Sequence, residues 1–443
     1  MRRRILLIAA GAALAAPALD APAAMQQPAS SASVKQLDPR AVVAEVRQIL
    51  AERYVLPERR PGLDAILARG LASGRYDVRE PAQLAERINA DLETAGKDRH
   101  LNFSLDPQQA ALLSAGRREQ APDTSGFERQ ARAANHGITE LRVLPGNIRY
   151  MAYDGFMWIG PESAAALENA MRFLVGGEAA IIDIRRNGGG SPQAVQYITS
   201  HFLPAERPLV TFHMNGNPSP DRLSTLADLP AGRMVGKPLY VLTSGGSASA
   251  AEEFAGHVGG YKFGELVGET TAGAGFRNEL LPIDGRFVLS VSVGRAVLAS
   301  TGKDWEAVGI SPTIRTPVSA ALDVAQAHAL RRLAAKATPQ ERPKLDALAD
   351  AIAAKTEARA PALPLTAYAG MFGERALRVE DGKLYYQRGE RARTALIPLG
   401  GNRFAFDSDP AVQLEFATSG SNVAAFSMAT AGGPVQGRYE RTP

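Results

Sequence analysis

Cysteine is missing from all 443 residues of the chain. Its absence excludes disulfide bonds, a thiol nucleophile and a lipid attached through cysteine, whereas an oxidising compartment remains tolerable. A long basic block is missing too, and the formal net charge is only +4, so we do not expect nucleic acid as a partner. Beyond the N-terminus no apolar run suggests a membrane anchor, and we therefore expect no membrane span in the mature chain.

The first residues predict export. Three arginines near the N-terminus precede the apolar run 5–19, and small residues that include the stretch 21–23 follow it. A basic start, a short apolar middle and a small-residue exit are typical of a secretory signal peptide. We expect a signal peptide over 1–23, a flexible lead-in over 24–37, and a periplasmic or secreted protein.

Helical periodicity follows the lead-in. Asp38 is a good N-cap, Pro39 suits the first helical position, and apolar residues then recur at helical spacing as far as Leu92. The sequence predicts an N-terminal helical bundle over 38–95. The polar, weakly patterned stretch 107–136 predicts a loop or a mobile flap.

Strands alternate with helices from Gly146 onward. This alternation favours parallel strand pairing with helical crossovers, and we expect an α/β core over 96–317. The predicted strands and helices, in order, are strand 148–153, helix 162–174, strand 179–184, helix 192–202, strand 239–243 and helix 250–258.

The C-terminal part divides into two segments. Residues 318–360 are alanine-rich and predict helix, with interruptions at Pro339 and Pro343. The composition then changes to short alternating strands, and Asp381-Gly382 is a strong hairpin turn. We expect a small antiparallel β domain over 361–443, without catalytic groups of its own.

A strand, a glycine-rich turn and a helix follow one another over 239–258. This order lifts a small polar side chain to the mouth of a sheet and directs the amides of a helix N-terminus at a ligand. Ser249 is then placed to be a nucleophile. In the alternative interpretation Ser247 and Ser249 only cap the helix, since serine is a preferred N-cap residue.

The glycine run 188–190 stands between a predicted strand and a helix. Successive glycines expose backbone amides there, which is one way to build an oxyanion pocket, although a plain loop is an equal alternative. The glycine spacing matches neither the phosphate loop nor the dinucleotide fingerprint. We therefore expect no cofactor, and no metal.

Two titratable residues stand near predicted turns. His100 follows the helical bundle, and Glu306 stands beside Trp305. Burial beside the indole would raise the pKa of Glu306 unless a histidine pairs with it. The ordinary alternative for each is a solvated surface side chain. Lys262 is a rival base near Ser249 in sequence, and His257 is expected to pack in the core.

Acyl transfer needs a nucleophile, a base, a group that orients the base, and backbone donors for the oxyanion. The turns described above offer one of each. Four segments together resemble the carboxy-terminal-processing (tail-specific) serine peptidases, above all the branch of interphotoreceptor retinoid-binding protein and the tricorn protease core. They read GSASAAEEFAG, IIDIRRNGGGSP, LVGETTAGAG and WEAVGISP.

The resemblance covers about 38–330 and implies a crotonase-like spiral of ββα units. It implies Ser249 as nucleophile in preference to Ser247. The implied oxyanion donors are the amide of Ala250 and one from the turn of Gly188 and Gly189.

Ala274 occupies the place of the lysine base of the processing peptidases. The resemblance to the tricorn-like branch then implies His100 as base and Glu306 as the residue that orients it. Two departures from the branch are Arg99, where it has serine, and Thr313, where aspartate is common. We find no segment like a PDZ domain between His100 and Gly146.

The sequence thus predicts an exported serine peptidase that acts on a peptide or protein substrate. A non-catalytic carrier of an apolar ligand on the same scaffold is the alternative. A further alternative is that the C-terminal β domain has an assembly role and that the α/β core is vestigial. The oligomeric state stays open.

Overall fold

The structure, a computed structural model, describes residues 36–116, 125–217 and 219–442. The expected signal peptide and the lead-in up to residue 35 lie outside the described residues. The described α-helices are α1 Pro39–Arg53, α2 Arg60–Ala72, α3 Pro81–Gly96, α4 Pro107–Gly116, α5 Ser125–Ala133, α6 Pro161–Val175, α7 Pro192–Ser200, α8 Ala250–Tyr261, α9 Ala321–Ala334, α10 Arg342–Ala353 and α11 Leu365–Tyr368.

The described strands make the fold a mixed α/β one. They are β1 Asn102–Leu105, β2 Ile138–Leu144, β3 Ile148–Tyr153, β4 Ala179–Asp183, β5 Pro208–Met214, β6 Asp221–Ser224, β7 Leu239–Thr243, β8 Glu265–Gly268, β9 Phe276–Ile283, β10 Phe287–Leu298, β11 Ile314–Arg315, β12 Gly370–Phe372, β13 Arg375–Glu380, β14 Lys383–Arg388, β15 Thr394–Gly400, β16 Arg403–Phe406, β17 Val412–Ser419, β18 Asn422–Thr430 and β19 Val435–Glu440.

The chain forms two compact units. Of the described residues, 36–116 and Asn278–Val293 form unit 1, whereas 125–277 and 294–442, apart from residue 218, form unit 2. Each unit is therefore built from two separate stretches of chain. The domain boundaries that the sequence suggests stay a prediction.

Unit 1 contains the predicted helices α1 to α3. Asp38 caps α1 and accepts hydrogen bonds from the amides of Arg40 (3.0 Å) and Ala41 (3.1 Å), which confirms the predicted helix start. Fully buried Val43, Leu63 and Leu84 lie on the inner faces of the three helices. After α3, strand β1 pairs antiparallel with the first residues of β10.

The expected loop over 107–136 is wrong for its described residues, because they form α4 and α5. The start of α4 has a local cause. Asp106 precedes Pro107, and its side chain accepts a hydrogen bond from the Gln109 amide (2.9 Å), so aspartate and proline act here as they do at α1. Residues 117–124 lie outside the described residues.

Unit 2 contains a six-stranded sheet in the order β11-β8-β7-β4-β3-β2. The β3–β4, β4–β7, β7–β8 and β8–β11 pairs are parallel, which confirms the expected crossovers, and β2 pairs antiparallel with β3. Every residue of β4 and β7 is buried, as expected of inner strands in a parallel sheet.

The two faces of this sheet pack against different helices. Side chains alternate along a strand: Ile182 and Val241 pack with α6, α7 and α8, whereas Ile181 and Leu242 pack with α9 and α10. The sheet is thus covered on both sides, and its polar loops emerge at the strand ends.

The C-terminal part is an eight-stranded antiparallel sheet in which β12 to β19 follow one another in chain order. The hairpin at Asp381 (φ 47°) and Gly382 (φ 72°) joins β13 to β14, as predicted. Phe404, Phe416 and Phe426 lie in its aromatic core. Among the described residues, no helix combines the length and the apolar character needed to cross a bilayer.

Candidate active site

The loops after β4 and β7 meet at one edge of the sheet. The two strands are parallel neighbours, so their carboxyl ends point the same way. An ideal Cβ on Gly189 would lie 2.7 Å from the Ser249 Cβ and 2.9 Å from the Ala248 carbonyl oxygen. Only glycine permits so close an approach, and it brings the glycine turn against Ser249.

Ser249 has a strained backbone. It is the N-cap of α8, with φ 55° and ψ −118°, a conformation that costs a non-glycine residue roughly 1–3 kcal/mol. Strain of this kind at a sharp strand-to-helix turn exposes the side chain of a nucleophile. The side chain of Ser249 is partly exposed, in agreement with such a role.

Ser247 is engaged elsewhere. It is fully buried, its hydroxyl donates to the Ile184 carbonyl (2.8 Å), and it accepts a hydrogen bond from the Ser244 amide (3.1 Å). Ser247 therefore ties the serine loop to the end of β4. This engagement favours Ser249 over Ser247 as the reactive hydroxyl.

Asn187 is a residue that sequence reasoning missed. It is fully buried. Its side chain accepts a hydrogen bond from the Gly189 amide (2.9 Å) and donates one to the Tyr153 carbonyl (2.8 Å), while its own carbonyl accepts from the Ala248 amide (3.0 Å). Asn187 thus connects the glycine turn to the serine loop, and only its place beside the glycines hinted at this.

The backbone amides near Ser249 differ in whether they are free to donate a hydrogen bond to a ligand. The Gly189 amide already donates to Asn187. Within the described part of the chain, the amides of Gly188 and Ala250 have no acceptor. Of the three expected oxyanion donors, Gly188 and Ala250 are therefore the better placed to bind a ligand, and the Gly189 amide shapes the turn.

Glu252, in the first turn of α8, was also missed as a site residue. It is fully buried. Its carboxylate accepts hydrogen bonds from the amides of Ser249 (2.9 Å), Gly273 (2.6 Å) and Ala274 (2.7 Å), and from the Thr271 hydroxyl (2.6 Å). One carboxylate thus holds the serine and the 271–274 turn together.

Glu306 lies against the continuation of the same turn. Its carboxylate accepts hydrogen bonds from the amides of Gly275 (2.6 Å) and Phe276 (3.1 Å). The indole of buried Trp305 donates to the Ala274 carbonyl (3.0 Å). Glu306 is therefore connected to Ser249 through the 271–276 turn and Glu252, all within unit 2.

His100 belongs to unit 1. Its amide donates to Asp98 (2.8 Å), and its carbonyl accepts a hydrogen bond from the Ser290 hydroxyl. Burial lowers the pKa of the imidazole below its ordinary value of 6.5, against an opposing effect of the Asp98 charge. A neutral imidazole is the form that can accept a proton.

The rival base Lys262 and the expected core residue His257 differ in burial. Lys262 is exposed at the end of α8. His257 is fully buried, with its Nε2 atom 3.4 Å from a carboxylate oxygen of Glu253, so it packs in the core as expected. Among the described residues, no three His, Asp or Glu side chains are grouped as a metal site would need.

Two family descriptions match this chain. Peptidase family S41 matches residues 147–316, which include both glycine-marked loops and Glu306. The N-terminal domain of peptidase family S41 in eukaryotic IRBP matches residues 24–133, which include His100. The two matches follow one another along the chain without overlap.

Individual proteins with a similar sequence or structure are more distant. The carboxy-terminal processing protease CtpB of Bacillus subtilis (strain 168) is 28% identical over 178 residues, which are 40% of this chain and 35% of that protein. The photosystem II D1 C-terminal processing protease is 18% identical, with a TM-score of 0.42 over 64% of this chain and 94% of its own. The tricorn protease is 12% identical, with a TM-score of 0.38 over 71% and 37%.

The resemblance found in the motifs is confirmed at the level of the family. The residues that carried it lie inside the matched region, and the structure gathers three of the four segments around one serine. Because an S41 peptidase region over 147–316 follows the N-terminal domain of the same family over 24–133, the chain belongs to peptidase family S41.

Proposed function

We propose that this protein is an exported serine peptidase that hydrolyses peptide bonds. The observation that carries the proposal is the contact of Gly189 with Ser249, at a strained N-cap beside the amides of Gly188 and Ala250, which have no acceptor among the residues that the structure describes. This is the arrangement that acyl transfer needs: a hydroxyl at the mouth of the sheet and backbone donors around the carbonyl it attacks.

In the proposed reaction the Ser249 oxygen bonds to the carbonyl carbon of the scissile peptide bond, and His100 takes the hydroxyl proton. The amides of Gly188 and Ala250 donate to the oxyanion. His100 then gives the proton to the leaving amine as the C–N bond breaks. Water, deprotonated by His100, attacks the acyl-enzyme and releases the acid and the free serine.

The roles of His100 and Glu306 rest on the resemblance and on two physical features. Burial lowers the pKa of the imidazole and so keeps it in the neutral form that can accept a proton, and two amides hold the Glu306 carboxylate in one position. We propose that Glu306 orients the imidazole and stabilises its protonated form. Ala274, in the place of the family's lysine, is buried and offers no base.

The remaining proposals concern architecture and location. We propose that the core has the crotonase-like ββα arrangement, which the parallel β4–β7 pair with α7 and α8 supports. We propose export on the sequence of residues 1–23. N-terminal sequencing of the mature protein would then begin at Ala24, and an intact Met1 would contradict export.

The carrier of an apolar ligand is the rival function. A cavity of about 270 Å³ lies in unit 2 and is lined chiefly by apolar side chains. Sites for drug-sized ligands are typically about 300–1,000 Å³. This cavity is slightly below that range, so it is small for a carrier of large apolar molecules.

Labelling with a fluorophosphonate tests the proposal. We expect wild type to be labelled, Ser249→Ala to lose all labelling, and His100→Asn to be labelled at least about 100-fold more slowly, in line with the usual 10²–10⁴-fold effect of a general base. Ser247→Ala is the matched control. It should be labelled like wild type, with a stability loss of about 1 kcal/mol.

Equal labelling of wild type and Ser249→Ala would remove Ser249 from the mechanism. If Ser249 is labelled at the same rate in His100→Asn as in wild type, Ser249 remains the proposed nucleophile but His100 is not its general base. Peptide hydrolysis measured in the same variants separates a peptidase from a protein that only reacts with the probe.

A further inference from the structure

The apolar cavity lies next to the proposed nucleophile. We call it the apolar pocket. Its apolar walls come from α5 and from the segment after β3, and its floor includes backbone of the glycine turn. The side chains that matter here are Phe127, Phe156, Met157, Trp158 and Ile159.

Backbone hydrogen bonds join the pocket to the proposed site. The Phe156 amide donates to the Gly189 carbonyl (2.9 Å), and the Ser191 amide donates to the Phe156 carbonyl (2.7 Å). Gly189 in turn contacts Ser249, and Gly190 lines the pocket. Gly189 is therefore the residue that separates Gly190, at the pocket, from Ser249; consecutive Cα atoms are about 3.8 Å apart.

The glycines keep the pocket at this distance. An ideal Cβ on Gly190 would lie 2.3 Å from the Phe156 carbonyl oxygen, and φ at Gly190 is 138°. The turn and the pocket wall therefore form one rigid piece.

The pocket is uncharged as well as apolar. Of the residues that the structure describes, no acidic or basic side chain lines it. The hydroxyl of Ser191, at its edge, donates to Gln193. Trp158 is held against Tyr197, with 5.2 Å between the ring centroids, so the aromatic wall is supported from behind.

The size of the pocket fits one side chain. Its volume of about 270 Å³ equals about nine water molecules at about 30 Å³ each, which is room for a phenyl ring or a branched aliphatic chain. An apolar side chain gains from burial there, whereas a charged side chain would lose its hydration without a partner.

We propose that the apolar pocket binds the side chain of a residue that flanks the scissile bond, and that it selects peptides with a large apolar residue at that position. The inference rests on the proposed peptidase function and names its substrate class. Met157 and Trp158 are then specificity-determining residues.

A reversal of specificity tests the inference. Wild type should cleave peptides with Phe, Leu or Met next to the cut at least about 10-fold faster, in kcat/KM, than matched peptides with Lys, since apolar pockets discriminate by about 10–200-fold. Met157→Asp should shift the ratio toward Lys by at least about 10-fold, because it places a charge in the pocket. The matched control is Val143→Asp, an apolar-to-aspartate change at an exposed position on β2, which should leave the ratio unchanged.

A binding measurement separates the pocket from the chemistry. Trp158 and Trp305 are the two tryptophans of the chain. In Ser249→Ala protein, a phenylalanine-containing peptide should change the tryptophan emission, and Trp158→Phe should abolish the change. The lysine peptide should give no change at the same concentration.

Each result has one meaning. Cleavage with an unchanged preference in Met157→Asp overturns the pocket and leaves the peptidase intact. Absence of cleavage and of Ser249 labelling overturns the peptidase. In that case an emission change that depends on Trp158 still supports apolar binding by the pocket, and its absence overturns the inference as well. If Met157→Asp does not fold, the tryptophan emission measurement alone decides whether the pocket binds an apolar side chain.

Discussion

The carboxylate of Glu252 has a positioning role that its sequence context conceals. It accepts hydrogen bonds from three amides and one hydroxyl, and it is closed off from solvent. Since hydrogen bonds to a charged group contribute about 1.5–3 kcal/mol each, four of them fix the position of the Ser249 backbone relative to the 271–274 turn.

Glu252→Gln tests this role. An amide keeps the size of the side chain but brings two N–H donors toward amides that themselves donate. We expect kcat/KM for peptide hydrolysis to fall on the order of 100-fold, the cost of displacing a reacting group by about 1 Å. Urea unfolding should show a loss of about 1–3 kcal/mol.

Glu253→Gln is the matched control, because Glu253 is the next residue of α8 and is also buried. This substitution alters the contact between Glu253 and His257 and leaves the hydrogen bonds to the serine loop in place. It should lower stability and leave kcat/KM of the folded enzyme near that of wild type. Equal losses of kcat/KM in the two variants would mean that Glu252 has only a structural role.

The strand-turn-helix pattern predicted Ser249, and the resemblance to the peptidase family implied that Ala250 and the 188–189 turn lie beside it; the structure brings these residues together. Asn187 and Glu252 were not predicted as site residues. Their importance comes from burial and from hydrogen bonds to residues far along the chain, and neither is visible in local sequence. The partnership of His100 with Ser249 stays a proposal.

The conformation of the turn after β4 requires glycine at position 189. Gly189 combines φ 110° with a Cβ position only 2.7 Å from the Ser249 Cβ. A methyl group there must displace the serine backbone or the turn itself. This requirement couples the shape of one loop to the position of the other.

Gly189→Ala should therefore abolish fluorophosphonate labelling, with a rate loss of at least about 100-fold, the usual cost of an impaired oxyanion pocket. The control is Gly232→Ala, because Gly232 also has positive φ (81°) but has nothing within 4 Å of its ideal Cβ. It should lose about 1 kcal/mol of stability and keep the labelling rate. Similar labelling rates in the two variants would show that the close approach is not needed.

Most elements were predictable where periodicity is strong. The strands at 148–153 and 239–243 and the hairpin at 381–382 have the predicted positions. The error at 107–136 has a physical reason. α5 is short and strongly polar, so its sequence shows little helical periodicity. Tertiary contacts, including those of Phe127 and Ala131 in the apolar pocket, stabilise the helix instead. The Asp106-Pro107 pair was a start signal that the sequence did contain.

At the scale of the whole molecule, buried histidines link stability to pH. Burial lowers the pKa of His100 and His201 below the ordinary value of 6.5. The unfolded chain therefore binds protons more readily than the folded one as the pH falls below 6.5. The free energy of unfolding should be unaffected by these groups above that pH and should decrease below it.

Urea unfolding at a series of pH values measures this slope. Lowering the pH from neutrality through the histidine range should destabilise wild type, and His201→Gln should show a smaller decrease over the same range. Asp64 and Asp183, whose pKa values are lowered by Arg47 and Arg185, contribute further losses at more acid pH. Stability that increases between neutrality and the carboxylate range would contradict the prediction.

The composition of the two units was beyond sequence reasoning. Helical periodicity predicted α1 to α3, but nothing local indicates that residues 278–293 complete unit 1. Pairing between β1 and the start of β10 joins positions almost two hundred residues apart, and such pairing is decided by the packing of the whole unit rather than by either strand.

Because unit 1 is built from two separate stretches of chain, its parts are synthesised at different times during translation. Its helices leave the ribosome first, yet their partner strand follows only after the stretch that contains Ser249. At roughly 5–20 residues per second, that strand emerges about 10–40 s later. Newly made polypeptide therefore carries the serine before unit 1, with His100, has been completed.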